Sequence, residues 1–176
     1  MVMENINSLE QLMTFYLQGI MDTEQSFLND LEREVYFQSS EGLKTRLLEC
    51  ERLSRRHIEE LKSILDDLPA DSSTWGTSFG IDGIILDFNE LLGRIEDHEI
   101  ANASILVFIQ TVCHLKITAY GTVSSFARLL GREPLSARLH HILSEEKELD
   151  ESLTRLAESS INVHAISPQV PPHREE

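Results

Sequence analysis

The sequence predicts an all-α protein built as an antiparallel bundle of four long helices. Its 176 residues contain proline only at positions 69, 134, 168, 171 and 172, which leaves three long stretches without a helix breaker. Apolar residues recur through these stretches at steps of three and four, the spacing that places them on one face of a helix. The chain is 41% hydrophobic, enough for one packed core. We therefore expect one bundle domain.

Helices A and B form the first predicted hairpin. Helix A runs from Leu9 to about Gln38, and a capping box of Ser8 and Gln11 marks its start. A short turn at residues 39–40 then provides the N-cap of helix B, which continues until Pro69. Because the turn is short, the two helices should be antiparallel.

The second hairpin follows a crossover. Residues 69–80 read as an irregular connection, and residues 81–94 as a short extra helix lying across the bundle. Helix C carries an apolar stripe that ends at Gly131, and Pro134 opens helix D. Polar residues break the pattern of helix D from Ser159 onwards. We assign residues 1–162 to the bundle and 163–176 to a disordered tail that is too polar and proline-rich to fold.

Composition excludes several classes of partner. Thirty acidic and fifteen basic residues give a net charge of −15, which repels nucleic acid and anionic lipid. The longest purely apolar runs are too short to span a membrane, and the acidic N-terminus does not resemble a signal peptide. Cys50 and Cys113 lack the spacing of a zinc finger and suggest no disulfide framework. We expect a cytoplasmic protein that binds neither nucleic acid nor membrane.

Four ionisable residues interrupt the apolar stripes, one on each long helix. They are Glu24, His57, Lys116 and Glu146. Burying such groups costs several kcal/mol each unless they pair with one another or hold a metal. The pattern therefore predicts a polar cluster inside the bundle.

Helices C and D carry the residues of a family resemblance. These are Ala119-Tyr120-Gly121-Thr122-Val123, Leu129-Leu130-Gly131 and Ser144-Glu145-Glu146-Lys147-Glu148-Leu149-Asp150, with Leu153 and Leu156. The chain resembles the YciE/YciF-like family of bacterial ferritin-like proteins over roughly residues 5 to 162. The resemblance implies a ferritin-like four-helix bundle, a homodimer, a link to stress, and metal ligands contributed by facing helices.

The family's ligand pattern is only partly kept. It falls on Glu24 in helix A and on a carboxylate group in helix D formed by Glu145, Glu146 and Asp150. In helix B the Glu-x-x-His pair falls on Ser54 and His57, and in helix C two carboxylates fall on Cys113 and Lys116. Serine, cysteine and lysine thus replace three anionic ligands, and a lysine ammonium has no lone pair for a metal.

We interpret the cluster as a degenerate di-metal site. In this hypothesis Lys116 pairs with Glu24 and Glu146, while His57 and Ser54 complete the hydrogen bonds. No cofactor is then expected, and the protein is a non-catalytic, stress-associated structural or interaction module rather than an enzyme.

Two metal-binding alternatives remain open. One is a working di-iron site with oxidase, ferroxidase or iron-handling activity, in which Tyr120 could be redox-active. The other is a single zinc ion held by Glu24, His57, Glu146 and Cys113 thiolate, which requires Lys116 to move aside or lose its proton. The remaining histidines read as surface or structural groups, and the arginines of helix B as part of a charged helix surface.

Overall fold

The computed structural model describes residues 5–31, 39–68 and 80–166. These residues are helical with short connections and contain no strand, which confirms the all-α prediction. The helices are α1 (Leu9–Leu31), α2 (Glu41–Asp66), α3 (Ile81–Leu92), α4 (His98–Leu129), α5 (Glu133–Leu156), a π-helical turn (Ala157–Ile161) and α6 (Asn162–Ala165).

Four long helices close into a ring around the core. Helix α1 packs on α2 and α4, and α5 packs on α4 and α2. These are the predicted helices A, B, C and D in the order α1, α2, α4 and α5. The short helix α3 packs on α1 and α4, where Phe88 stacks on Phe108 with ring centroids 4.1 Å apart.

Local signals set the helix boundaries. The Ser8 hydroxyl accepts from the Gln11 amide at 3.1 Å, and the Gln11 side chain accepts in turn from the Asn7 amide. Asp97 caps α4 through its carboxylate. Gly131 follows α4 with φ of 71°, a left-handed conformation that glycine adopts without a Cβ penalty. The capping box at Ser8, the stop at Gly131 and the start at Pro134 agree with the prediction, whereas the Asp97 cap was not predicted.

The end of the bundle differs from the prediction. Ser159 does not terminate helix D, because a π-helical turn carries the chain into α6. Ala157 and Ile161 are both buried in the core, while the Ser159 hydroxyl bonds back to the Arg155 carbonyl. Apolar packing on one side thus outweighs the breaking tendency of the serines on the other. Residues 163–165, assigned to the tail from sequence, are helical.

Three sequence predictions lie outside the described residues. These are the end of helix A at residues 32–38, most of the crossover at residues 69–79, and the tail at residues 167–176.

The core consists of two apolar clusters with a polar layer between them. On α1 the side chains from Met13 to Met21 belong to the first cluster and those of Phe27 and Leu31 to the second, with Glu24 between them; Leu28 packs with the first cluster. The other long helices change cluster in the same way, and the residues at those boundaries are Ser54 and His57 on α2, Lys116 on α4 and Glu146 on α5. The four helices therefore bring their polar interruptions to one level.

Helix α4 is long and apolar enough, by length and composition alone, to span a membrane; among the described residues it is the one helix that is. Half of its most apolar window is buried inside the bundle, and core helices of soluble proteins pass the same test. Polar residues interrupt the apolar runs of α4, so the length of such runs does not reveal this property of the helix.

Candidate functional site

The polar layer is sealed from solvent. Its members Glu24, Ser54, His57 and Glu146 have no exposed surface, and Lys116 is 1% exposed. Ionised groups at such depth must be neutralised by close partners. The contacts within the layer therefore decide its chemistry.

Lys116 is the cation at the centre of the layer. Its Nζ donates to Glu146 Oε1 at 2.7 Å and to Glu24 Oε2 at 3.2 Å, with Ser54 Oγ at 3.5 Å. Burial alone would lower the pKa of Lys116, but the charges of Glu146 and Glu24 outweigh it and raise the pKa above its ordinary value. Lys116 is therefore protonated and makes both ion pairs that the sequence hypothesis placed here.

His57 is the second cation. Its Nδ1 lies 3.2 Å from Glu24 Oε1 and 3.2 Å from Glu146 Oε1, and its Nε2 lies 3.0 Å from Glu145 Oε2. Because only carboxylates face the two nitrogens, both nitrogens donate. Burial opposes the charge, yet the hydrogen bonds to Glu146 and Glu24 raise the pKa of His57 to about 9. His57 is thus an imidazolium near neutral pH.

Glu24 collects the most donors. Besides Lys116 and His57, the Tyr120 hydroxyl donates to Oε1 at 2.9 Å, and the Ser54 hydroxyl also donates to this carboxylate. Burial would raise the pKa of Glu24, but the Lys116 charge and the His57 hydrogen bond outweigh it and lower the pKa to about 2. Burial, reinforced by Glu24 and Glu146, raises the pKa of Tyr120 well above its usual range, so its phenol keeps its proton.

The charges of the layer balance without an added ion. Two carboxylates, Glu24 and Glu146, face the two cations Lys116 and His57. At the edge of the layer a third carboxylate, Glu145, pairs with Arg56. Lys116 also lies 5.0 Å from the centroid of the Phe27 ring, close enough for a cation–π contact.

Part of the donor set suits a metal. Ligand atoms of Glu24, His57 and Glu146 lie within 4.8 Å of one another, and among the described residues this is the one such group of histidine, cysteine and acidic side chains. Glu146 Oε2 is buried and accepts no hydrogen bond. Carboxylate oxygens and an imidazole are suitable ligands for zinc or iron.

The complete set does not fit a di-iron centre. Such a centre needs about six ligands, and an ammonium already sits between two of the carboxylates that would serve as ligands, Glu24 and Glu146. Both nitrogens of His57 are engaged as donors, and Ser54 contributes a hydroxyl in place of a carboxylate. Cys113 does not belong to the group formed by Glu24, His57 and Glu146, and burial raises the pKa of its thiol well above its usual range.

The three candidate metal ligands on helix D lie in different environments. Glu146 enters the core, whereas Glu145, with 17% of its side chain exposed, contacts the layer only through His57 and otherwise pairs with Arg56. Asp150 contacts Gln110 at 3.4 Å and His114 at 3.4 Å and does not join the layer. The carboxylate group expected from the family pattern is thus divided among three environments.

Sequence reasoning missed two members of the site. Arg56 was assigned to the charged surface of helix B, where 47% of its side chain is exposed, but its pairing with Glu145 on the neighbouring helix α5 was not predicted. Tyr120 was considered only as a redox group beside iron, whereas its hydroxyl is a donor to Glu24. Its position one helical turn after Lys116 was the available signal for this second role.

Comparisons with known proteins agree with one another. A family described as a domain of unknown function, DUF892, matches residues 8–166. Protein YciF of Escherichia coli strain K12 is 24% identical over 161 residues, covering 92% of this chain and 97% of that protein.

Two solved structures share the fold with TM-scores of 0.80. One is YcfI, a putative structural protein from Rhodopseudomonas palustris, at 26% identity, covering 88% of this chain and 98% of that one. The other is the E. coli stress protein YciF, at 23% identity, covering 89% of this chain and 99% of that one.

Proposed function

This chain belongs to the DUF892, or YciF-like, family that its sequence motifs predicted, and we propose that it is a member whose metal centre is degenerate. Lys116 takes the place of a metal ion between Glu24 and Glu146. The protein acts as a non-catalytic structural or interaction module of the cytoplasm and has no metal-dependent oxidase activity.

One observation carries this proposal. Lys116 Nζ lies 2.7 Å from one buried carboxylate and 3.2 Å from the other, so its charge occupies the space where a metal would bind. A divalent cation at short range from an ammonium is repelled by several kcal/mol at the effective dielectric of a protein. Displacing the lysine would also leave it buried without a partner.

The descriptions of the relatives support the cellular part of the proposal. YciF of E. coli is called a stress protein, and the Rhodopseudomonas palustris protein a putative structural protein. We extend both descriptions to this chain as a stress-associated structural role. Comparing the abundance of the protein before and after osmotic and oxidative stress would test this part, and constant abundance under both would count against it.

Metal content is the direct test of the degenerate site. Tag-free protein made with iron and zinc supplements would be analysed by elemental mass spectrometry as wild type, Lys116→Glu and Lys147→Glu. We expect no stoichiometric metal in the wild type and about one ion or more in Lys116→Glu, which adds a carboxylate beside Glu24, His57 and Glu146. Lys147→Glu makes the same charge change on the exposed face of α5 and should bind none.

The alternative is a functional metal site, either di-iron or zinc. The grouping of Glu24, His57 and Glu146, with the unused Oε2 of Glu146, favours a single ion over two. About one zinc per chain that survives mild chelation would establish this alternative. About two irons with oxygen-dependent iron oxidation would instead establish an enzyme, and either result would refute the degenerate site.

We also propose that the protein is a homodimer that associates through the outer face of α4. From Ile100 to Ala127 this helix carries a single Lys, Arg, Asp or Glu residue, the buried Lys116. Val107 is 61% exposed on this face. In a two-fold interface the same patch meets itself, so a face without like charges suits self-association in a chain of net charge −15.

Light scattering coupled to size exclusion would test the dimer. We expect a dimeric mass for the wild type and a monomeric mass for Val107→Glu, with Val163→Glu as the exposed control on α6. A monomeric wild type would refute the homodimer, and a dimer unaffected by Val107→Glu would place the interface elsewhere.

A further inference from the structure

A cavity of about 420 Å³ lies between α2 and α5, on the outer side of the polar layer. Its volume is within the range of small-molecule sites. The lining residues are Arg56, His57, Glu60, Ala137, Arg138, His141, Ile142 and Glu145. The layer itself is sealed, and it is Glu145, with 17% of its side chain exposed, that meets the exterior at this cavity.

Two cations in this cavity hold one carboxylate from both sides. Arg56 Nη2 donates to Glu145 Oε1, and His57 Nε2 donates to Glu145 Oε2 at 3.0 Å. Burial opposes the charge of Glu145, but the His57 hydrogen bond and the Arg56 charge outweigh it and lower the pKa of this carboxyl below its ordinary range. Paired cationic donors on the two oxygens of one carboxylate are a strong recognition geometry for that group.

Glu145 lies at the solvent-facing edge of the site formed by Arg56 and His57, here called the cradle. Its side chain is 17% exposed, and His141, one turn earlier on α5, places Nε2 3.5 Å from its Oε1. An outward rotation therefore moves the Glu145 carboxylate toward water and an exposed imidazole. If another carboxylate then enters the cradle, one negative charge replaces another and the charge balance of the polar layer is preserved.

We propose that this cavity is a binding site for a small organic carboxylate, which takes the place of Glu145 on Arg56 and His57. Ala137 and Ile142 in the lining accommodate a short apolar body. Arg138 is already held by Glu60, Asp67 and Ser63 and forms the fixed opposite wall. The proposal does not depend on the degenerate metal site, so each can fail without the other.

The covalent attachment of Glu145 sets the expected affinity. As an intramolecular competitor it has an effective concentration on the order of millimolar or higher, so an external ligand binds the wild type weakly. Removing the competitor strengthens binding, whereas removing Arg56 abolishes it. This opposite response of two neighbouring residues separates the proposed site from general attraction of anions to a charged surface.

Butanoate is the probe. Sodium butanoate is titrated into the full chain while sodium chloride keeps the ionic strength constant, and binding is followed by calorimetry and methyl NMR. We expect Glu145→Ala to bind butanoate at least about tenfold more tightly than the wild type, and Glu145→Ala/Arg56→Gln to show no saturable binding. Shifts of the Ile142 and Ala137 methyl signals should locate the ligand. Glu148→Ala removes an exposed carboxylate from the same helix and should behave as the wild type.

Three results would overturn the proposal: no saturable binding to Glu145→Ala, retention of binding in the double variant, or an equal gain in Glu148→Ala. Circular dichroism of each variant establishes that it is folded. If Glu145→Ala is unfolded, Glu145→Gln, which keeps the side-chain shape, replaces it in the same comparison with the same expected order of affinities.

Discussion

Replacing Lys116 by methionine tests whether the buried network needs its central cation. The change keeps most of the side-chain length but removes the ammonium that lies 2.7 Å from Glu146 and 3.2 Å from Glu24. The imidazolium of His57 then faces two fully buried carboxylates alone.

The expected loss of stability is large. Removing one partner of a buried ion pair costs about 3–5 kcal/mol, because the other charge is left without compensation. For a chain of this size about 2–4 °C of melting temperature corresponds to each kcal/mol, so Lys116→Met should lower the melting temperature by about 6–20 °C. Lys147→Met, on the exposed face of α5, should change stability by less than about 0.5 kcal/mol.

Urea denaturation followed by circular dichroism measures the change, and a double-mutant cycle identifies its cause. Glu146→Gln removes one of the two carboxylates, so Lys116→Met/Glu146→Gln restores the match of one anion to one cation. We expect this variant to be more stable than the sum of the single changes predicts, by at least about 1 kcal/mol. Additive changes, or a stability of Lys116→Met equal to that of the wild type, would refute the counter-ion role.

Three further predictions concern the same layer. The free energy of unfolding should fall at both ends of the pH range. The stabilisation from His57 is complete below the pKa of an unfolded histidine, about 6.5, and is lost as the pH rises toward its folded pKa of about 9. The stabilisation from Glu24 is complete above the pKa of an unfolded glutamate, about 4.5, and is lost as the pH falls toward its folded pKa of about 2. Urea titrations at a series of pH values would measure both limbs, and an alkaline limb unchanged in His57→Gln would contradict the assignment. Tyr120→Phe should lower the free energy of unfolding by about 1–3 kcal/mol, because Glu24 loses a hydroxyl donor. An unchanged urea midpoint would count against that hydrogen bond. Burial raises the pKa of Cys50 to about 12 and that of Cys113 well above its usual range. A disulfide reagent should therefore label both thiols only after denaturation. Rapid labelling of the native protein would argue against this packing.

The sequence by itself determined the helices and the level of the polar layer. Steps of three and four fix which side of each helix is apolar, and Gly131 and Pro134 fix where the second hairpin turns. Glu24 and Lys116 each interrupt a long apolar stripe, so they had to enter the core with their helices. These are properties of one helix at a time, and local spacing is enough to predict them.

Tertiary structure decided how the polar side chains meet. Glu145 and Glu146 are adjacent in sequence but point about 100° apart on a helix, and only the rotation of α5 against α2 and α4 sends Glu146 to Lys116 and Glu145 to Arg56. The same rotation leaves Asp150 outside the layer. Hydrogen bonds and metal coordination depend on differences of a few tenths of an ångström between helices, whereas periodicity within one helix carries no information about the rotation and register of its neighbours.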